Sequence, residues 1–164
     1  MVIESLSCHL FVGVDMELYH GALDIKEIFG RWLDEERESN YGAFIPFIGT
    51  IRDEDGIEGL SFDIYEPILK SWFDSWQEIA KKRGAKVKMA HSIGDVPLHT
   101  SSYISAVFSP KRRVALELID EFVEDFKANA PIWKYDIIDG KRVYAQNRST
   151  PMSGSGILAN KEDI

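Results

Sequence analysis

At 164 residues, 45% hydrophobic and 12% aromatic, the chain is long and apolar enough for one core and too apolar for wholesale disorder. Its 27 carboxylates against 19 Lys and Arg give a formal net charge of −8, which speaks against a nucleic-acid partner. Cys8 is the only cysteine, so an intramolecular disulfide and a cysteine-based zinc site are excluded within one chain, and a reducing, cytoplasmic setting is expected.

The first residues have neither the basic start nor the long apolar run of a secretory leader, and no stretch is apolar enough for a membrane span. Leu6–Val14 reads as a strand containing Cys8, whose natural reading is an inert buried thiol. Asp24 opens a helix, with Glu27 placed three residues on as in a capping box. Ile25, Ile28, Phe29, Trp32 and Leu33 then recur at helical spacing and form its buried stripe. Tyr41–Ile51 is almost wholly apolar, as in a strand covered on both faces, although Pro46 points to an edge or a bulge. In Leu60–Tyr65, Leu60, Phe62 and Ile64 alternate with Ser61 and Asp63, which predicts one wet face. Pro67 starts a second helix that ends in Lys81-Lys82-Arg83-Gly84, with cations in the last turn and glycine beyond it.

Val87, Met89, His91 and Ile93 mark the inward face of a further strand, with Tyr103–Phe108 as its partner. Ser109-Pro110 opens the longest helix, which carries Val114, Leu118, Phe122 and Phe126 on one side and stops at Asn129-Ala130-Pro131. Ile132–Ile138 and Arg142–Gln146 form a last hairpin around Asp139-Gly140. Neighbouring strands interrupted by three main helices give an α+β fold with a largely antiparallel sheet. Residues 1–148 read as one domain and 149–164, rich in Ser and Gly at Ser149–Gly156, as a flexible tail.

Lys111, Arg112 and Arg113 crowd a helix start where the dipole is already positive. An anionic ligand would reverse that penalty, and so would carboxylates of this acidic chain; the sequence fits both. Arg52 leaves an apolar strand and suits either a bidentate phosphate clamp or an ion pair with Asp53 or Asp55. Lys127 sits in the last helical turn, where the dipole favours any cation, yet at the margin of the apolar stripe, where partial burial would tune an acid or base. Lys134 follows Trp133, an aromatic neighbour that could shield it; a plain surface lysine is the alternative. His91 reads as a core histidine. The four histidines lack metal-ligand spacing, so no metal site is expected, and no nucleophile-elbow, P-loop or dinucleotide motif occurs.

From about Tyr41 to Lys134 the order and spacing of several motifs resemble the large, catalytic subunit of molybdopterin synthase. They are Gly42-Ala43-Phe44, Phe47 through Arg52, Tyr65-Glu66-Pro67, His91-Ser92-Ile93-Gly94, the Ser109–Arg112 helix start and Lys127-Ala128-Asn129-Ala130-Pro131-Ile132-Trp133-Lys134. The two lysines seven residues apart around Ala-Pro-Ile-Trp are the most specific element. The resemblance implies an α/β-hammerhead-like fold and a role in molybdenum cofactor biosynthesis. Two sulfurs would be added to cyclic pyranopterin monophosphate, each delivered as a thiocarboxylate on a small ubiquitin-like partner, with no permanently bound cofactor. It further implies a homodimer of this chain within a heterotetramer. Residue by residue it assigns catalysis to Lys127 and Lys134, and substrate binding to Phe47, Thr50, Ile51, Arg52, Lys111, Arg112, Lys127, Lys134, Tyr135 and Asp136. This chain departs from the family at Lys111, often His; at Ser92, often Arg; near Asn147, where Arg148 lies one place off; and at Leu98-His99-Thr100, which replaces a Pro-Gly-acidic turn. A non-catalytic relative that docks a ubiquitin-like tail and a regulatory domain for a phosphorylated metabolite are the alternatives.

Arg112 and Lys127 are fifteen residues apart on one helix, about 22 Å at 1.5 Å per residue. A pterin monophosphate is on the order of half that length. If both residues serve one site, Arg112 comes from a second copy of the chain.

Overall fold

The computed structural model describes residues 9–145. The elements run β1 (His9–Gly13), β2 (Met16–His20), α1 (Ile25–Glu35), β3 (Ala43–Thr50), β4 (Gly59–Ile64), α2 (Glu66–Lys82), β5 (Lys86–Pro97), β6 (Ser101–Ser109), α3 (Arg112–Asn129), β7 (Ile132–Ile138) and β8 (Lys141–Tyr144). This is α+β, with a mainly antiparallel sheet and three helices, as the sequence indicates. One pair departs from antiparallel order: β2 runs parallel to β5.

β5 is the spine. Lys86–His91 pairs with β6, Met89–Ile93 with β2, and the far end, Gly94–Pro97, with β4. The strand thus passes from one half-sheet (β1-β2-β5-β6-β3) to another (β5-β4-β7-β8). Gly94, at φ +74, stands at the crossing, a conformation glycine adopts without steric cost. β4 approaches β5 so closely that a Cβ on Gly59 would lie 2.5 Å from the Val96 carbonyl oxygen.

α2 and α3 cover one face of the first half-sheet, where Leu69, Phe73, Leu118 and Phe122 pack on Val87, Met89 and Val107. Each such side chain contributes roughly 1.5–3 kcal/mol by leaving water. α1 covers the opposite face with Ile28 and Trp32 against Ala90, Ile104 and Phe108. Asp24 caps it as read, the Glu27 amide donating to Asp24 Oδ1 at 3.1 Å, but the Glu27 carboxylate turns to Arg31 instead of completing a capping box. Ions flank this apolar contact. Arg31 grips Glu17 through two hydrogen bonds of 2.7 and 2.8 Å. Lys88, only 2% exposed, meets Glu35, Glu36 and Asp15 at 2.6, 3.1 and 3.4 Å. A third small cluster of Ile51, Phe62 and Val96 sits under β4.

Several expectations are corrected. Tyr41–Ile51 is not covered on both faces: β3 pairs only with β6, and Pro46, Phe47 and Ile48 are exposed. Pro46 is tolerated there because the missing amide falls on an edge strand. Ser61 does not face water; it is buried and donates to Asp95 Oδ1 at 2.6 Å. The single N-terminal strand is a hairpin, turned at Asp15 (φ +73), and β2 was not anticipated. The last strand begins at Lys141 instead of Arg142. The expectations for Cys8 and for the 149–164 tail lie outside the described residues.

Candidate functional site

Five rings from five elements form a continuous seam. Phe47 of β3 meets Tyr103 of β6 at 6.1 Å between centroids, and Tyr103 stacks on Phe126 of α3 at 4.3 Å and 20°. Phe126 lies 5.7 Å from His91 of β5, and His91 meets Phe62 of β4 edge to face at 4.9 Å. Strand register creates the alignment, because His91 pairs with Tyr103 and both side chains face α3. The His91 Nδ1 hydrogen is donated to the Ser92 carbonyl at 2.7 Å, and burial pushes the imidazole pKa down to about 4. It is a neutral core histidine, as the sequence implies. Burial likewise raises the Tyr103 phenol well above its ordinary value.

The two lysines stand at the ends of the turn that joins α3 to β7. Lys127 follows Phe126 directly in the last turn of α3. It is exposed, so the partial burial expected at the edge of the apolar stripe is absent from the single chain, and Leu116, three turns back on the same side of the helix, is itself 45% exposed. Lys134 is half-buried and pairs across the β4–β7 ladder with Phe62, the last ring of the seam. Trp133 cannot shield it, because adjacent strand residues face opposite sides of the sheet. Asp136 shares the face of Lys134. Tyr135 is on the other face, with Arg142 over its ring at 4.1 Å and Tyr144 at 5.7 Å. Arg142 also holds Asp63 at 2.7 Å.

Thr50, Ile51 and Arg52 close β3 at the same end of the sheet. The Ile51 amide and carbonyl are bonded to Thr100 and His99, at 2.9 and 2.8 Å, and its side chain packs with Phe62. Thr50 Oγ1 lies 3.3 Å from Ser101 Oγ. Arg52 projects into solvent, and its ion pair is with Glu54, not Asp53 or Asp55. An exposed pair of this kind is easily exchanged for a ligand anion.

Lys111 and Arg112 are elsewhere. They begin α3, exposed, with Lys111 at the N-cap and no side-chain cap. Ser109 organises this start: its hydroxyl accepts from the Lys111 amide at 3.2 Å, and the Gly42 amide bonds its carbonyl at 3.0 Å beside the start of β3. Phe47 is a ring of the seam, Lys127 follows one in sequence, Lys134 pairs with one across a ladder and Ile51 packs on one, with Thr50, Arg52 and Asp136 beside them along the chain; Lys111 and Arg112 occupy the far end of α3. The sequence reading missed Tyr103 and Phe126 as parts of the seam. The one local signal was that Phe126 precedes Lys127.

The description "MoaE protein" is that of the family whose pattern matches residues 19–129. A molybdopterin synthase catalytic subunit from Helicobacter pylori strain 26695 is 51% identical over 144 residues, covering 88% of this chain and 99% of the relative. A solved complex of subunits 1 and 2 of the molybdopterin-converting factor from the same strain contains a chain similar to this one. It matches at 51% identity and a TM-score of 0.83, with 88% of this chain and 99% of that one covered. A molybdopterin synthase structure from Staphylococcus aureus shares the fold at 20% identity, with a TM-score of 0.67 over 77% of this chain and 93% of that one.

Proposed function

The chain belongs to the MoaE family, and from that premise we propose that it is the catalytic large subunit of a molybdopterin synthase, working with a small sulfur-carrier subunit in molybdenum cofactor biosynthesis. The reaction is sulfur transfer to cyclic pyranopterin monophosphate. A thiocarboxylate sulfur on the partner's terminal glycine bonds to an oxygen-bearing side-chain carbon of the precursor, whose carbon–oxygen bond breaks, the oxygen leaving as water or staying on the freed phosphate. Water then cleaves the sulfur–acyl bond, leaving sulfur on the pterin and a carboxylate on the partner. Two such transfers give the dithiolene, so this chain needs neither a catalytic thiol nor a permanently bound cofactor. A cytoplasmic setting suits a chain with one cysteine; among the described residues no helix is long and apolar enough to cross a membrane.

The observation that carries the assignment of roles is the pairing of Lys127 and Lys134 around one turn beside the aromatic seam. Lys127 is placed as the acid–base group at the reacting centre, its ammonium also countering the carboxylate that forms. Lys134 holds the precursor, with Asp136 on the same face and Tyr135 behind the strand. Phe47 offers an exposed ring for the flat pterin, and Thr50, Ile51 and Arg52 follow it along the chain, with Arg52 free to trade Glu54 for phosphate.

Lys111 and Arg112 join this site from a second copy. β3 is an open edge that exposes Phe47 and Ile48 at 41% and 42%. Its start lies by Arg112 and its end by the seam, so β3 and α3 point the same way. A two-fold partner across this edge brings one helix start beside the other helix end. A homodimer flanked by two small subunits, a heterotetramer, follows. The test is reconstitution with a thiocarboxylated small subunit and the cyclic precursor: dithiolene product supports the reading, and its absence with both proteins folded and associated overturns it.

A further inference from the structure

The last turn of α3 is held from two sides. Toward α2, the Asp125 carboxylate accepts two indole hydrogen bonds, and a third comes from its own helix. Its Oδ2 accepts the indole N–H groups of Trp72 and Trp76 at 2.8 and 2.7 Å, and its Oδ1 accepts the Asn129 amide at 2.6 Å. The two indoles are one turn apart on α2, so together they fix both the height and the rotation of α3 at this point. Toward the sheet, Phe126 stacks on Tyr103 and touches Trp72, with centroids 5.9 Å apart. Lys127 is the next residue. At 100° per residue it leaves the helix on the side away from α2.

A carboxylate in a last helical turn opposes the helix dipole. Burial alone would raise the Asp125 pKa, yet hydrogen bonds from Asn129, Trp76 and Trp72 hold it below the ordinary carboxylate value. Its charge is retained because three donors use it. Apolar packing alone would join α2 to α3, as Phe73 and Phe122 already do at 6.2 Å; the polar clamp adds a defined register at the turn bearing Lys127.

We propose that Asp125 is a positioning residue for sulfur transfer, acting through Trp72, Trp76 and Asn129 to hold the turn that presents Lys127. This rests on Lys127 acting at the reacting centre. A displacement of about 1 Å at a reacting group can cost up to about 10²-fold in rate. The experiment compares Asp125→Asn, Trp72→Phe, Lys127→Ala and the Asp125→Asn/Lys127→Ala double variant as complete reconstituted complexes in steady-state assays with the thiocarboxylated small subunit in excess. Asp125→Asn should lower kcat by about 10- to 100-fold while KM for the precursor stays within about twofold. Trp72→Phe keeps the ring and removes one donor; it should show a smaller loss of the same kind, and it carries the test if Asp125→Asn fails to fold. In the Lys127→Ala background the Asp125→Asn loss should vanish, because nothing remains to be positioned. A near-normal kcat in Asp125→Asn beside an inactive Lys127→Ala overturns the proposal alone, as does an undiminished loss in the double variant. Near-normal turnover of Lys127→Ala overturns the assignment of the site and this proposal with it.

Discussion

Phe62 is the hinge between two halves of the site: its ring meets His91 edge to face at 4.9 Å, while its backbone pairs in register with Lys134. The lysine on β7 is thereby tied to a buried imidazole on β5, and the state of that imidazole bears on the whole molecule.

His91 has a folded-state pKa of about 4 against an ordinary 6.5. Below pH 6.5 the unfolded chain takes up this proton and the folded chain does not, so stability falls as pH drops from 6.5 toward 4 and is unaffected above. Each pH unit is worth about 1.4 kcal/mol, which makes the full loss about 3 kcal/mol. Denaturant titrations at pH 7.5, 6, 5 and 4.5 should show this decline in the wild type, and His91→Phe should flatten it by that amount. Equal slopes in both proteins would assign the acid sensitivity to carboxylates such as Glu17, which Arg31 holds low against the upward push of burial.

Removing Lys127 should separate binding from chemistry. Lys127→Ala is expected to lower kcat by about 10²–10⁴ with partner affinity unchanged. Lys134→Ala should raise KM for the precursor as well as lower turnover, because this half-buried lysine lies on the face proposed to hold the precursor. Isothermal titration with the small subunit, beside the turnover assay, reads both; near-normal turnover in Lys127→Ala would mean that the helix dipole alone explains a lysine there.

A site shared between two copies, as proposed, predicts complementation. Arg112→Ala and Lys127→Ala homodimers should each be nearly inactive, and mixed dimers should recover one intact site in two. Mixed dimers confirmed by mass but as inactive as their parents would confine the site to one chain.

Lys88 bears on stability, not turnover. At 2% exposure it neutralises Glu35, Glu36 and Asp15 together. Lys88→Met removes this buried counter-charge from Glu36 and Asp15, Glu35 being exposed and also held by Arg31, and should cost about 3–5 kcal/mol. Lys86, 2.7 Å from Glu36, keeps the loss toward the lower figure. A change below about 1 kcal/mol in urea unfolding would show that water reaches the cluster.

What could be read from the sequence was local. The Asp24 cap, the Pro67 start, the cationic end of α2 and the Asp139-Gly140 turn, both at positive φ, each carry their signal within a few residues. β2 was missed because Met16–His20 takes its place through a parallel pairing with β5, some seventy residues away. Ser61 looked like a wet position because its partner, Asp95, belongs to another strand. The seam was unreadable for the same reason: Phe47, Phe62, His91, Tyr103 and Phe126 share no spacing. Lys127 and Lys134 were legible only as a pair with a fixed interval; their relation to those rings required the fold.

The double role of β5 has a kinetic consequence. Its hairpin with β6 closes only the short segment between His91 and Tyr103, whereas the β3–β6 and β2–β5 pairings bridge tens of residues and must first bear the entropy of closing long loops. Folding should therefore spread outward from the β5–β6 hairpin, with β2 and β3 joining late. Pulse-labelled hydrogen exchange should find amides of Val87–His91 and Tyr103–Val107 protected before those of Met16–His20 and Ala43–Thr50; simultaneous protection would refute this order. On that pathway the edge proposed to receive a second copy of the chain is among the last surfaces made, so that assembly would wait for a nearly finished monomer.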